Sequence, residues 1–177
     1  MEFPVLETDR LILREITEED AEDLFINFSN TEVMKHYGSE PIESIEEARG
    51  LVHSFKAGFV ENKGIRWGIQ LKNQKSLIGT VGFHAVSLKH RRAEIGYELN
   101  QGYWGQGLAK EAIREAIEYG LKEMGLVRIG AVVFIENKNS NELLLKLGFQ
   151  KEGVLRSYMI QGGLSYDTNV YSLVAAN

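Results

Sequence analysis

The chain predicts a mixed α/β fold on a mostly antiparallel sheet, and three observations carry that expectation. Three short apolar runs, 67–71, 77–86 and 93–99, are joined only by Lys72-Asn73-Gln74-Lys75 and Ser87-Leu88-Lys89-His90. Connections this short join antiparallel neighbours, because a parallel crossover needs about a dozen residues or more. Next comes the clearest helix, where Ala109, Ala112, Ile113, Ala116, Ile117, Gly120, Leu121 and Met124 recur at helical spacing until Gly125. Finally, two strand-like runs, 154–160 and 167–174, flank Gly162-Gly163. That dipeptide supplies the two positive φ angles of a tight hairpin turn.

The remaining elements follow from local signals. Leu11-Ile12-Leu13-Arg14 reads as a first strand, and Thr17-Glu18-Glu19-Asp20 as a helix start with acids at the positive dipole end. Ala21, Leu24, Phe25 and Phe28 continue that helix. Ser44-Ile45-Glu46-Glu47 is a capping box, opening a second helix with Ala48, Leu51, Val52, Phe55 and Phe59 on its apolar face. Residues 128–135 form a β-branched strand, and 140–147 a short helix ended by Gly148 with Phe149 as the apolar residue beyond it. The order is β-α-α-β-β-β-α-β-α-β-β, which is not a doubly wound sheet.

At 177 residues with 44% hydrophobic positions, the chain is read as one domain over 1–177, with enough apolar residues to exclude disorder. Zero Cys excludes disulfides and thiolate nucleophiles, and the four scattered His give no metal-ligand spacing, so no metal is expected. The start Met1-Glu2-Phe3-Pro4 has no leader pattern, and no apolar run approaches the ~20 residues of a membrane span. These features point to a cytoplasmic protein. The net charge of −5 disfavours a nucleic-acid-binding face.

The segment Gly102-Tyr103-Trp104-Gly105-Gln106-Gly107-Leu108-Ala109 joins a strand to the best helix. Glycines admit a ligand close to the backbone, and the helix start presents free N–H groups, so an anion, most naturally phosphate, belongs here. A Walker loop fails, because Leu108-Ala109 stands where Lys-Ser/Thr is required. A dinucleotide fingerprint fails because Lys110 occupies its third glycine position.

Taken with three other motifs, this loop resembles the GNAT N-acetyltransferases, nearest the ribosomal-protein N-terminal alanine and serine acetyltransferases. The others are Leu6-Glu7-Thr8-Asp9-Arg10-Leu11-Ile12-Leu13-Arg14, Glu94-Ile95-Gly96-Tyr97, and Asn137-x-x-Ser140 continuing to Lys146-Leu147-Gly148-Phe149. The resemblance implies a central, mostly antiparallel sheet of about seven strands, with a splayed parallel pair in the middle and about four helices around it. It implies acetyl-CoA as co-substrate and an amine acceptor, either a protein N-terminus or a small molecule. It is compatible with a homodimer, for which the sequence shows no interface. A non-catalytic CoA-binding module is the alternative.

By the same resemblance, the pyrophosphate rests on backbone N–H groups of Trp104, Gly105, Gln106, Gly107, Leu108 and Ala109, with Lys110 adding charge. Trp104 departs from the Gln or Arg that the family carries at the head of this loop. Leu99 is expected to offer backbone groups to pantetheine and to the thioester carbonyl, and Asn137 to bond the pantetheine arm. The base is Glu94, Glu98 or water, and Ser140 is either the acid for the departing thiolate or only a helix cap. Leu144 replaces the Tyr acid of many relatives. Residues 37–44 and the hairpin tip at 161–165 correspond to loops framing the acceptor, and His84 is a candidate cleft residue.

Overall fold

A computed structural model describes residues 1–176. The strands are β1 (Leu6–Glu7), β2 (Leu11–Glu15), β3 (Ile65–Leu71), β4 (Leu77–Ser87), β5 (Arg92–Leu99), β6 (Arg128–Phe134), β7 (Gln150–Gln161) and β8 (Leu164–Val174). The helices are α1 (Ala21–Phe28), α2 (Thr31–Met34), α3 (Ile45–Val60), α4 (Leu108–Lys122) and α5 (Lys138–Lys146). They surround one eight-stranded sheet in the order β1-β2-β3-β4-β5-β6-β8-β7. Every neighbouring pair is antiparallel except β5 and β6, which run parallel.

Relative to the sequence reading, the sheet gains the two-residue β1, and the helices gain the single turn α2. Thr17 begins a short 3-10 turn at Glu18–Asp20, and α1 follows it. The Asp20 carboxylate is buried against the Arg14 guanidinium, with one contact at 2.8 Å. The expected capping box at Ser44 forms, with Glu47 bonding back to the Ser44 amide at 3.0 Å.

The α4 stripe is buried along Leu108, Ala112, Ile113, Ala116, Ile117 and Gly120. At Gly120 a Cβ would sit 2.8 Å from the Phe83 ring, so the missing side chain lets that ring lie against the helix. At the end of α5, Phe149 donates to Leu144 O at 3.0 Å and Gly148 to Leu145 O at 3.1 Å, with Gly148 at φ +94°. This is a Schellman stop.

The parallel pair is brief. Its register runs only over Arg92↔Arg128, Ala93↔Ile129 and Glu94↔Gly130. Beyond that point β5 stays with β4 as far as Leu99↔Gly79, while β6 stays with β8 as far as Phe134↔Thr168. A slot therefore opens between the two strands. Asn100 donates to Ile78 O, so the strand alternation turns the backbone groups of Ile95, Tyr97 and Leu99 toward the slot.

Candidate active site

The slot widens into a cleft of about 960 Å³ lined by β5, β6, the Trp104–Lys110 loop, the start of α5 and residues 32–39. Its floor carries two sets of side chains, because successive strand residues point to opposite faces. Tyr97 and Leu99 face the α4 side, whereas Glu94, Gly96 and Glu98 face the α1–α3 side.

At one end of the cleft the chain turns into α4 through Gly105 and Gly107, with φ of +76° and +77°. Gly107 is the N-cap and makes no side-chain cap, so the amides of the first helical turn have no capping acceptor there. Trp104, Gly105, Gly107, Leu108, Ala109 and Lys110 all line the cleft, whereas Gln106 does not. The Gln106 carbonyl instead accepts from Arg10 at 3.0 Å. Arg10 also bonds Glu111 at 3.1 Å, and Thr8 donates to the same carboxylate at 2.9 Å. The Thr8-Asp9-Arg10 motif thus buttresses the loop from behind, a role that needs the folded pairing of β1–β2 with α4.

Trp104 has a purpose that its departure from the family pattern did not disclose. Its indole N–H donates to Leu99 O at 2.8 Å and pins the loop to the end of β5. The Leu99 carbonyl is therefore engaged within the protein, and its N–H is the backbone group left facing the slot. This differs from the expectation that Leu99 offers its backbone freely.

The start of α5 differs from the sequence reading as well. The helix begins at Lys138, and its N-cap is Asn137, whose side chain accepts from the Ser140 amide at 3.3 Å. Ser140 is consequently not the cap. Its hydroxyl instead shares a hydrogen bond with the Tyr97 hydroxyl, across the slot from β5. Burial pushes the Tyr97 phenol up to about 12, so it stays protonated, and either hydroxyl of the pair can donate to the other. Leu144 is fully buried in the core and faces away from the cleft.

On the other face, His84 Nε2 lies 3.3 Å from Glu94 Oε2 at the cleft wall. The His84 hydrogen bond holds the Glu94 carboxyl below its ordinary value, and Arg92 and Arg128 act in the same direction. Glu98 is only 5% exposed, and neither of its carboxyl oxygens has a hydrogen-bond partner. Burial pushes this group up to about 7, against weaker opposing pulls from Thr80, Arg66 and Asn27.

Residues 37–44 and the β7–β8 turn close over this end. Gly38 donates to the Gln161 side chain at 3.0 Å, Gln161 donates to Met34 O at 2.7 Å, and Gly162 bonds Glu40. Among the described residues, no helix is long and apolar enough to cross a membrane, and no cluster of His, Asp and Glu is grouped to hold a metal.

A backbone-lined anion site, a strand slot and a carboxylate-bearing wall suit an acyl carrier with a pyrophosphate. Comparison with known proteins agrees. The chain is 59% identical over 172 residues to the uncharacterized N-acetyltransferase YoaA of Bacillus subtilis, covering 97% of each. It is 28% identical to the ribosomal protein uS5-alanine N-acetyltransferase of Escherichia coli, over 89% of this chain and 84% of that one. Among solved structures, the Microcin C7 self-immunity acetyltransferase MccE, in complex with acetyl-CoA and AMP, matches with a TM-score of 0.86 at 27% identity, over 95% of this chain and 94% of that one. The family model described as an acetyltransferase (GNAT) domain matches residues 10–150, and the chain belongs to this family of acetyl-CoA-dependent N-acetyltransferases.

Proposed function

We propose that the chain, as one unit over 1–177, acetylates a primary amine by direct attack in a ternary complex, the acceptor being a protein N-terminus or a small-molecule amine. We take it to work in the cytoplasm. The observation that carries the reading is the slot between β5 and β6, which has a free helix start at one end and the Glu94 wall at the other. Acetyl-CoA supplies the activated acetyl thioester. The amides of Gly105, Gly107, Leu108 and Ala109 and the Lys110 ammonium suit its pyrophosphate, and the Leu99 N–H and the Asn137 side chain suit the arm lying in the slot.

Attack requires an amine with a free lone pair. Glu94 is the base: its carboxylate is ionised at neutral pH and reaches the cleft, so it takes the amine proton directly or through a water. Glu98, four positions further on along the same face of β5 and with its carboxyl pushed up to about 7, is a second acceptor for that proton. As the new C–N bond forms and the C–S bond breaks, the sulfur leaves as a thiolate. When Tyr97 donates to Ser140, the serine proton is free for the cleft that Ser140 lines, where it serves as the acid for that sulfur.

The test is thiol release from acetyl-CoA across N-terminal peptides and small amines, beside thermal-shift titrations with acetyl-CoA, CoA and ATP. Stabilisation by both CoA species and turnover with at least one amine are expected. Tight CoA binding with no turnover on any amine would defeat the reading.

A further inference from the structure

Arg66 is a cation of the acceptor wall that no sequence motif marked. It sits on β3 opposite Gly82, and Gly82 in turn pairs with Gly96 on β5. The three residues form a row across the sheet, in which the second and third have no side chain. A Cβ on Gly82 would lie 2.7 Å from the Arg66 Cα, and one on Gly96 would lie 2.9 Å from Arg66 Nη1. The two glycines therefore leave a trough along which the arginine runs flat, from β3 over β4 to the strand that borders the slot.

The guanidinium is held there by groups that carry no charge. Nε donates to Thr80 at 2.9 Å and Nη2 to the Tyr37 hydroxyl at 2.9 Å, while the Phe55 ring lies 5.7 Å below. Nη1, above Gly96, has no hydrogen-bond partner, and Arg66 makes no ion pair among the described residues. Its neighbouring carboxyl, Glu98, is buried. A planar fork fixed on two sides, near the face of an aromatic ring and open on the third, is an arrangement suited to a carboxylate. Gly96 lies two residues past the last β5–β6 pair, so the unpaired Nη1 stands beside the mouth of the slot.

We propose that Arg66 is a specificity determinant that binds a carboxylate carried by the acceptor close to its reactive amine. This selects amino-acid-like acceptors, or peptides with an acidic residue near the N-terminus, over polyamines and plain alkylamines. The inference rests on the acetyltransfer reading above and adds the substrate class. It also has an electrostatic corollary: a fixed cation beside the amine disfavours its ammonium form and keeps the lone pair available.

Thiol release is measured with α-amino acids, peptides bearing Asp or Glu at the second position, uncharged amines of matching size and spermidine. The expected result is a kcat/KM at least tenfold higher for carboxylate-bearing acceptors than for their uncharged counterparts. That ratio collapses toward unity in Arg66→Gln and is partly kept in Arg66→Lys. The amino-acid and peptide arms separate the two sources of the carboxylate. A preference for spermidine or uncharged amines, or an equal loss on every acceptor in Arg66→Gln, overturns the proposal. Calorimetric binding of the N-acetylated amino acid or peptide reads the subsite even without turnover. Weaker binding to Arg66→Gln supports it, and equal binding to both proteins refutes it. Absence of turnover with the subsite intact counts instead against the catalytic reading.

Discussion

The Tyr97 hydroxyl on β5 hydrogen-bonds the Ser140 hydroxyl on α5, bridging the slot where the parallel pair has parted. Burial keeps the phenol protonated, so Tyr97 can donate to Ser140 and free the serine proton for the proposed acid role. Acid assistance of this kind contributes about 10²–10⁴-fold to a rate. Ser140→Ala is expected to lower kcat within that range, and Tyr97→Phe by about tenfold, with little change in the KM for acetyl-CoA. The double variant should be no worse than Ser140→Ala alone, since Tyr97 acts through Ser140. Steady-state kinetics on the three variants, with additive losses as the contrary result, decides this.

Glu94→Gln removes the proposed base while keeping the side-chain size. The expected outcome is a fall in kcat of about 10²-fold or more, with acetyl-CoA binding preserved in calorimetry. The Glu94 carboxyl is held below its ordinary value by His84, so the wild-type acidic limb should lie below pH 4.5. A limb near pH 7 that survives in Glu94→Gln and vanishes in Glu98→Gln would transfer the role to Glu98.

Glu98 also makes a stability prediction. Its carboxyl rises from 4.5 to about 7 on folding, so the native state holds a proton that the unfolded state has released in between. Stability from this group is therefore retained at low pH, is lost as pH rises from about 4.5 to 7, and stays lost above. The shift corresponds to roughly 3 kcal/mol. Glu98→Gln should accordingly be more stable than wild type at pH 8 by up to that amount, with the gap closing near pH 4.5. Denaturant titrations of both proteins across this range measure it; a gap independent of pH would contradict the assignment.

Arg10 supports the phosphate loop without lining the main cleft. Losing its bonds to Gln106 O and Glu111 should loosen the loop at a site that is largely exposed. Arg10→Ala is expected to raise the Kd for acetyl-CoA by about five- to tenfold, equivalent to roughly 1 kcal/mol. Calorimetry checks the affinity, and an unchanged melting temperature distinguishes this from unfolding.

Two strand glycines should respond in opposite ways. A Cβ at Gly82 would lie 2.0 Å from the Ile65 carbonyl oxygen, which is backbone and cannot swing away. Gly82→Ala should cost about 3 kcal/mol or more. Gly153 in β7 has nothing within 4 Å, and Gly153→Ala should stay within about 0.5 kcal/mol of wild type.

Local chemistry made much of this fold readable. The α4 stripe, the Gly162-Gly163 turn and the Gly148 stop each depend on residues close together in sequence, and each forms as expected. The glycine turn that leads into α4 was readable for the same reason. What escaped depended on partners brought together by register. Arg66 fell just outside the expected 67–71 run, and only the register that sets Gly82 and Gly96 beside it brings it to notice. Tyr97 lay inside a recognised motif, but its partner is 43 residues away. Ser140 resembled a cap because the true cap, Asn137, ends a loop whose length the sequence does not mark.

The alternation of β5 has an evolutionary consequence. In the proposed reading, Tyr97 and Leu99 serve the donor from one face of the sheet, while Glu94, Gly96 and Arg66 address the acceptor from the other. The strand is a partition wall with a single doorway where β6 departs. Substitutions in the acceptor chamber can therefore redirect which amine is modified without disturbing how the activated acetyl group is held. A lineage built on this wall is free to change customers while keeping one supplier.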